Sequence, residues 1–349
     1  SGKKYMKKLH RAATFTDIHF GRKSNSRQHN QDCVNFVRWF CERVKKIDDI
    51  DHVIFSGDWY ESRSAIDVET LTYSYQAAKL INDLHLPVYF ILGNHDLYYK
   101  HTREVYSVIS FHEFNNFTVI VDPLYDKNVG DGTLFCPYLF HNEYDKITNY
   151  LKVPVWWGHF EFKGFTITGY NIKLLSGPDH HRFEGPKHII SGHFHRRQIQ
   201  DNIVYIGNTF PMDFSDAGDN KRGMLIYDYI TNNLKFIDWK DCPMYQKITL
   251  SSIMNNSAKI IPYARIKCIV DTTEVSYDDQ IELRKALIKD LHLRELTFEE
   301  IDMEDALTNT AIEDQTTVLG TNDQVIEMLK GISVEQIDNQ KLTDIYISL

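Results

Sequence analysis

Seven side chains of metal-binding type recur along the 349-residue chain: Asp17, His19, Asp58, Asn94, His159, His193 and His195. They fall in five stations, Asp17-Ile18-His19, Gly57-Asp58, Gly93-Asn94-His95-Asp96, Gly158-His159 and Gly192-His193-Phe194-His195, each after a short apolar run. Singly, each station reads better as a polar turn than as a ligand. As an ordered set they ask for a common site. In extended chain residues i and i+2 project to one side, so Asp17 can share a site with His19, and His193 with His195. Glycine before Asp58, Asn94, His159 and His193 is expected to let the backbone turn sharply. Carboxylates, an amide and imidazoles without a thiolate suit Mn²⁺, Fe²⁺ or Zn²⁺, and seven ligands suffice for two ions with positions left for water and substrate.

The elements that position these residues follow from hydrophobic periodicity. Ala12 to Phe15, Val53 to Phe55 and Pro87 to Ile91 read as buried strands, each ending just before a station, where open α/β sheets keep their ligands. Between them, Asp32 to Val44 has helical spacing, and Asp67 is a plausible N-cap for a helix to Leu84 with Leu71, Tyr75, Ala78, Leu80 and Ile81 on one side. Thr102 to Phe114 reads as helical and Thr118 to Val121 as extended. Further short strands follow at 134–137, 153–157, 165–167, 188–190, 203–205 and 224–227. Few helices separate them, so a second sheet facing the first is expected, giving an α/β four-layer αββα sandwich of two mixed β-sheets over residues 6–243.

After Pro243 glycines nearly vanish and the metal-capable motifs stop. Residues 244–307 read as a small α+β domain, with strands at 265–270 and 295–298 and a helix from Asp278 to Leu291. Residues 308–349 read as a linker and a C-terminal helical segment whose Val325, Ile326, Met328, Leu329, Ile332, Val334 and Ile337 are more apolar than a free tail requires. Residues 1–5 read as a leftover preceding a native start at Met6.

Composition narrows the classes. With 42% hydrophobic and 25% charged residues the chain is of ordinary globular type. No run of 18 apolar residues and no signal peptide is apparent, so no membrane role is expected. Cys33, Cys41, Cys136, Cys242 and Cys268 are scattered without a C-x-x-C pair, which argues against a disulfide framework or a zinc-thiolate site and fits a reducing cytoplasm. The net charge of −9 argues against gripping nucleic acid by bulk charge, so such binding must be local, metal-assisted or shared with a partner.

The order D-x-H, G-D, G-N-H-D, G-H, G-H-x-H resembles the calcineurin-like metallophosphoesterase superfamily over residues ~9–235. The resemblance implies that Asp17, His19 and His195 hold one metal, that Asn94, His159 and His193 hold a second, and that Asp58 bridges them. It implies that His95 faces substrate as proton donor, with Asp96 orienting it. Tyr205 to Phe214 and the following Lys221-Arg222-Gly223 are similar to SbcD-type DNA double-strand-break repair nucleases, including compact bacteriophage versions. Membership there implies two Mn²⁺ (or Mg²⁺ or another divalent ion), 3′-5′ exonuclease and single-strand endonuclease activity, a homodimer, and an SMC-like coiled-coil ATPase held by the C-terminal tail. It places the protein in the cytoplasm, the host's if phage-encoded, acting at the nucleoid. Glu61, where that family usually has Asp or His, and Asn208, in place of Ser or Thr, depart from the pattern.

Arg22, Arg63 and Arg197 lie beside metal motifs and are expected to contact DNA phosphates. Tyr98, Tyr99 and His101 could stack on unpaired bases or cover the site, and Trp156-Trp157 reads as core. Two other functions fit less fully: a phosphoesterase for a small phosphodiester or nucleotide, and a non-catalytic scaffold of the same fold.

Overall fold

The computed structural model describes residues 7–167, 172–271 and 275–301. The segment 308–349, read above as linker and ATPase-binding helix, lies outside the described residues. The first sheet begins with four parallel strands, β1 (Arg11–Phe15), β2 (His52–Ser56), β3 (Val88–Ile91) and β4 (Phe117–Ile120). The chain then builds the second sheet from β5 (Leu124–Asp126), β6 (Thr133–Phe135), β7 (Val155–Gly158), β8 (His188–Ser191), β9 (Gln198–Gln200) and β10 (Ile203–Tyr205). It returns to the first sheet with β11 (Gly223–Asp228), antiparallel to β1, and β12 (Asn233–Asp238). The resulting orders are β12-β11-β1-β2-β3-β4 and β5-β6-β7-β8-β10-β9, two mixed sheets as expected.

Period-two burial separates the layers. On β1 and β2, Ala13, Phe15, Val53 and Phe55 pack outward against α1 (Arg27–Lys46), while Ala12 and Ile54 face the second sheet. Trp157 joins that inter-sheet core, and its neighbour Trp156 points to the opposite face of the second sheet. Both indoles are fully buried, so truncating either to alanine should cost about 3–5 kcal/mol. The outer cover of the second sheet is thin: a helical turn at Tyr144–Ile147, a 3₁₀ turn at His180–Phe183, and the rings of Phe160 and Phe162.

Helix α1 starts earlier than its apolar periodicity, because Ser26 caps it by accepting from His29 N. In α2 (Val68–Asn82) Asp67 caps as expected, accepting from the N–H groups of Glu69 and Thr70. Of the side of α2 expected to be buried, Ala78 and Ile81 are buried and Leu80 partly so, but Leu71 and Tyr75 are exposed. Thr70, Ser74, Ala77, Ala78 and Ile81 face inward, because the Ser74 hydroxyl is needed between the buried Trp59 indole and Tyr60 phenol, at 2.8 and 2.6 Å. The helix expected over Thr102 to Phe114 shrinks to a 3₁₀ segment, Ile109–Glu113. Preceding residues are drawn back over the β3 loop by Tyr98 N to Val105 O and Ser107 N to Asp96 O.

A third, all-parallel sheet of β13 (Tyr245–Thr249), β14 (Arg265–Asp271) and β15 (Glu295–Ile301) packs with α3 (Tyr277–Asp290) around its own core of Ile266, Cys268, Val270 and Leu296. The sequence reading missed β13. This sheet docks beside the first station: Tyr245 Oη donates to Met212 O, Arg265 reaches Gln28, and Arg294 pairs with Asp32 at 2.7 Å. All five cysteines are free and buried.

Candidate metal centre

Because β1, β2 and β3 run parallel, their C-terminal tips share one edge, and the tips of β7 and β8 meet them from the second sheet. The five stations occupy these tips. The backbone there is unusual. Asp17, His19, Asp58 and His193 adopt positive φ of 52°, 52°, 62° and 93°, a region that non-glycine residues enter only when the surroundings hold them. Here cross-loop bonds do so: Asp17 N donates to Gly57 O, and Ile18 N and His19 N to Asp58 O. The expectation that each preceding glycine makes the turn therefore needs correcting. Gly57 does so with φ of 100°, but at Gly93 the need is space, since a Cβ would come within 2.1 Å of Asp58 Oδ1.

The seven residues converge. Asp17 has one oxygen occupied by Thr16 Oγ1 and His193 N, while Oδ1 is buried without a hydrogen-bond partner among the described residues and stands 3.8 Å from both His19 Nε2 and His195 Nε2. His19 Nε2 faces His195 Nε2 at 3.0 Å. Asp58 Oδ2 lies between the two groups, 3.8 Å from His19 Nε2 and 3.3 Å from His159 Nε2. Asn94 Oδ1 is 3.0 Å from His159 Nε2 and 3.1 Å from His193 Nδ1. His159 donates Nδ1–H to Ser56 O at 2.7 Å, which leaves its Nε2 a lone pair aimed at Asn94 and Asp58. With the imidazoles unprotonated these nitrogens and oxygens are acceptors facing one another, an arrangement that a proton or a cation must bridge, and the mixed oxygen and imidazole donor set fits two divalent ions.

The charges agree. Burial pulls His19 down, but Asp17, Glu61 and Asp58 outweigh it and push it up to about 10. His159 is pushed up to about 9 against burial by Asp58. Burial raises Asp58, yet His159 and His95 hold it well below the usual carboxylate range. Burial, then the charge of His19, lowers His195 to about 3. Positive charge is thus stabilised on His19 and His159 beside the carboxylates, and not on His195.

The expected orienting contact from Asp96 to the His95 ring is replaced by another. Asp96 is fully buried, and its oxygens accept from four main-chain N–H groups, those of Gly93, Asp58, Trp59 and Tyr60. The His95 ring is oriented by Glu61, whose carbonyl accepts from Nδ1 at 2.8 Å. The Glu61 carboxylate in turn lies 2.8 Å from His19 Nδ1. Glu161 was also missed: it stands 3.5 Å from His193 Nε2 and accepts from Tyr138 Oη. The i, i+2 rule that pairs Asp17 with His19 would have paired it with His159.

Of the three arginines, Arg197 is half-buried, paired with Asp238 at 2.8 Å and lying over the Phe236 ring. Arg22 pairs with Asp213 at 2.7 Å and approaches Glu61. Arg63 has a buried Nη1 without a hydrogen-bond partner among the described residues and lines a cavity of ≈ 220 Å³ with Tyr98, Val105 and Tyr106. Tyr98 and Tyr99 are exposed, edge to face at 4.8 Å. Asn208 is buried: its Oδ1 accepts from Arg222 at 2.5 Å and its N–H donates to His195 O, supporting the last station from behind.

Fold and site together define a metal-dependent phosphoesterase, and residues 10–197 match the calcineurin-like phosphoesterase family, to which the chain belongs. It is similar to exonuclease subunit 1 of Enterobacteria phage T4, with 26% identity over 261 residues, covering 70% of this chain and 74% of that protein. Among solved structures it is similar to an archaeal phosphodiesterase (TM-score 0.37, 11% identity, 66% of this chain and 99% of that one). It is also similar to a dimetal phosphatase from Danio rerio (TM-score 0.41, 8% identity, 63% and 93%).

Proposed function

We propose that the protein is a metal-dependent DNA nuclease, a 3′-5′ exonuclease and single-strand endonuclease of a recombination and repair complex. The observation that carries the reading is the convergence of seven ligand side chains from both sheets on one edge. The choice of DNA among phosphodiesters is supported by the similarity to a phage exonuclease subunit.

In this reading Asp17, His19 and His195 hold one Mn²⁺ and Asn94, His159 and His193 a second, with Asp58 shared. When bound, such a pair supplies a water of lowered pKa and neutralises charge on the attacking and leaving oxygens. The chain does the rest. His159 keeps its metal-facing tautomer through Ser56 O. His95, fixed at Nδ1 by the Glu61 carbonyl, has Nε2 as the nitrogen from which a proton passes to the leaving alkoxide. Arg63, which lines a cavity beside Tyr98, is the best placed of the three arginines to take a phosphate, and Tyr98 and Tyr99 offer exposed rings for unpaired bases.

For partners, the reading gives a homodimer and an SMC-like ATPase bound through residues after Gly320. The outer side of α2 and the neighbouring 3₁₀ turn expose Val68, Leu71, Tyr75 and Ile109 at 78%, 48%, 56% and 60%, an apolar surface suited to self-association. No helix among the described residues is long and apolar enough to cross a membrane; the reading places the protein in the cytoplasm, the host's if phage-encoded.

The test is degradation of defined single- and double-stranded DNA ends in Mn²⁺ or Mg²⁺, with and without a candidate ATPase. Metal-dependent shortening from 3′ ends is expected. Turnover of a small phosphodiester without DNA cleavage under either condition would return the protein to the small-substrate class.

A further inference from the structure

We propose that Glu61 is a positioning residue serving both histidines of the reaction: its carboxylate sets the tautomer and aim of His19 toward the metal, and its backbone carbonyl sets those of His95 as proton donor. The inference rests on the two-metal reading above and deepens it.

Two separate acceptors of one residue reach two separate rings. Glu61 Oε2 is 2.8 Å from His19 Nδ1, and Glu61 O is 2.8 Å from His95 Nδ1. The rings themselves stand edge to face, centroids 5.0 Å apart. Glu61 is fixed at both levels. Its N–H donates to Phe20 O, next to the Phe20–Tyr60 bridge, and Arg22, itself held by Asp213, lies 3.5 Å from Oε2. A carboxylate at Nδ1 keeps the His19 proton there, so Nε2 presents its lone pair to the point shared with His195, Asp17 and Asp58. This is the role Ser56 O plays for His159, and such outer contacts tune metal ligands generally. The oxygen lies 2.8 Å from Nδ1 and off the axis of the His19 N–H. The carboxylate also stands with His19 and His95 in a group whose ligand atoms lie within 4.8 Å of one another, so direct ligation by Glu61 is the competing role.

The test is Mn²⁺ binding to the full chain without DNA, by calorimetry and by electron paramagnetic resonance of bound Mn²⁺, for the parent, Glu61→Ala and Glu61→Gln. Glu61→Ala should weaken one of two Mn²⁺ sites about 10–100-fold and leave the other near parental. Glu61→Gln keeps an acceptor oxygen and should restore most of that affinity. The carbonyl that serves His95 remains in the alanine variant. The His95 Nδ1–H resonance should accordingly persist in both variants; its loss in Glu61→Ala overturns the carbonyl half. Parental Mn²⁺ affinities in Glu61→Ala overturn the carboxylate half, and a glutamine variant as weak as alanine overturns it in favour of direct ligation. A parent chain that binds fewer than two ions overturns the two-metal reading and the proposal with it, whereas two ions bound with the same two affinities by parent and Glu61→Ala leave the two-metal reading standing and overturn the carboxylate role alone.

Discussion

Asp58 and Asp96 are interlocked through main-chain donors: Asp96 Oδ2 accepts the N–H of Asp58 at 2.9 Å, and Asp58 Oδ1 accepts the N–H of His95, the residue before Asp96, at 2.8 Å. The loops after β2 and β3 are thereby tied into one unit. Asp96 also accepts from Gly93, Trp59 and Tyr60. Glycine at position 93 leaves the space this requires.

Asp96→Asn should therefore act on stability before catalysis. The amide keeps one acceptor oxygen and places an NH₂ against donors, leaving about two buried N–H groups unpaired at ~1–3 kcal/mol each. Urea denaturation should show a loss of about 2–5 kcal/mol, a large share of an ordinary domain's stability, and calorimetry should show weaker binding at both metal sites. Parental stability with lowered kcat alone would restore a direct orienting role toward His95.

His95→Ala should separate binding from chemistry. The contact of residue 95 with Asp58 is made by the backbone N–H, which alanine keeps, so the bound metal content should equal the parent's. Single-turnover DNA cleavage should fall on the order of 10²–10⁴-fold, the range for an acid catalyst. Metal content falling in step with rate would make His95 a ligand.

The stations were legible because each combines a strand end with metal-capable residues, and the alternation rule ties Asp17 to His19. The sheets were legible from period-two burial, which puts Trp156 and Trp157 on opposite faces. What failed was inference from adjacency. Asp96 is next to His95 in the chain, yet its oxygens turn to the β2 loop, and the residue that orients His95 comes from position 61. On α2 Ala78 and Ile81 are buried as expected, but Leu71 and Tyr75 are not, for a related reason: hydrophobicity favours burying them, whereas Ser74 is drawn inward by the Trp59 and Tyr60 polar atoms. A buried polar atom's demand for a partner is set by tertiary structure, which periodicity does not carry.

The acid side of the stability profile should depend on His29, whose ring N–H donates to His19 O at 2.9 Å inside the α1 packing. Burial lowers His29 from 6.5 to about 3. The folded state thus prefers the neutral ring, so the contribution is complete above 6.5 and is lost progressively as pH falls from there toward 3. His29→Gln removes this titration. The stability gap between parent and variant, measured by urea midpoints of the metal-free proteins, should be widest near neutral pH and narrow on the acid side. A gap independent of pH would show that the His29 ring does not carry the linkage.

Leu71 and Tyr75 supply the test of self-association. They stand with Val68 on the outer side of α2, and the Tyr75 ring meets Phe114 at 5.8 Å, which joins the helix to the Ile109–Glu113 turn and extends the apolar surface across two elements. A stable dimer of standard size covers about 800 Å² on each partner, and burying a leucine there contributes roughly 1.5–3 kcal/mol. Leu71→Glu forfeits that contribution and puts a carboxylate where desolvation penalises it, so the dimer should weaken at least about tenfold. Sedimentation equilibrium should give a dimeric parent and a largely monomeric variant, both binding the same number of Mn²⁺ ions, because α2 buries its other face against the sheet. A parent that sediments as a monomer at micromolar concentration would remove the homodimer from the reading.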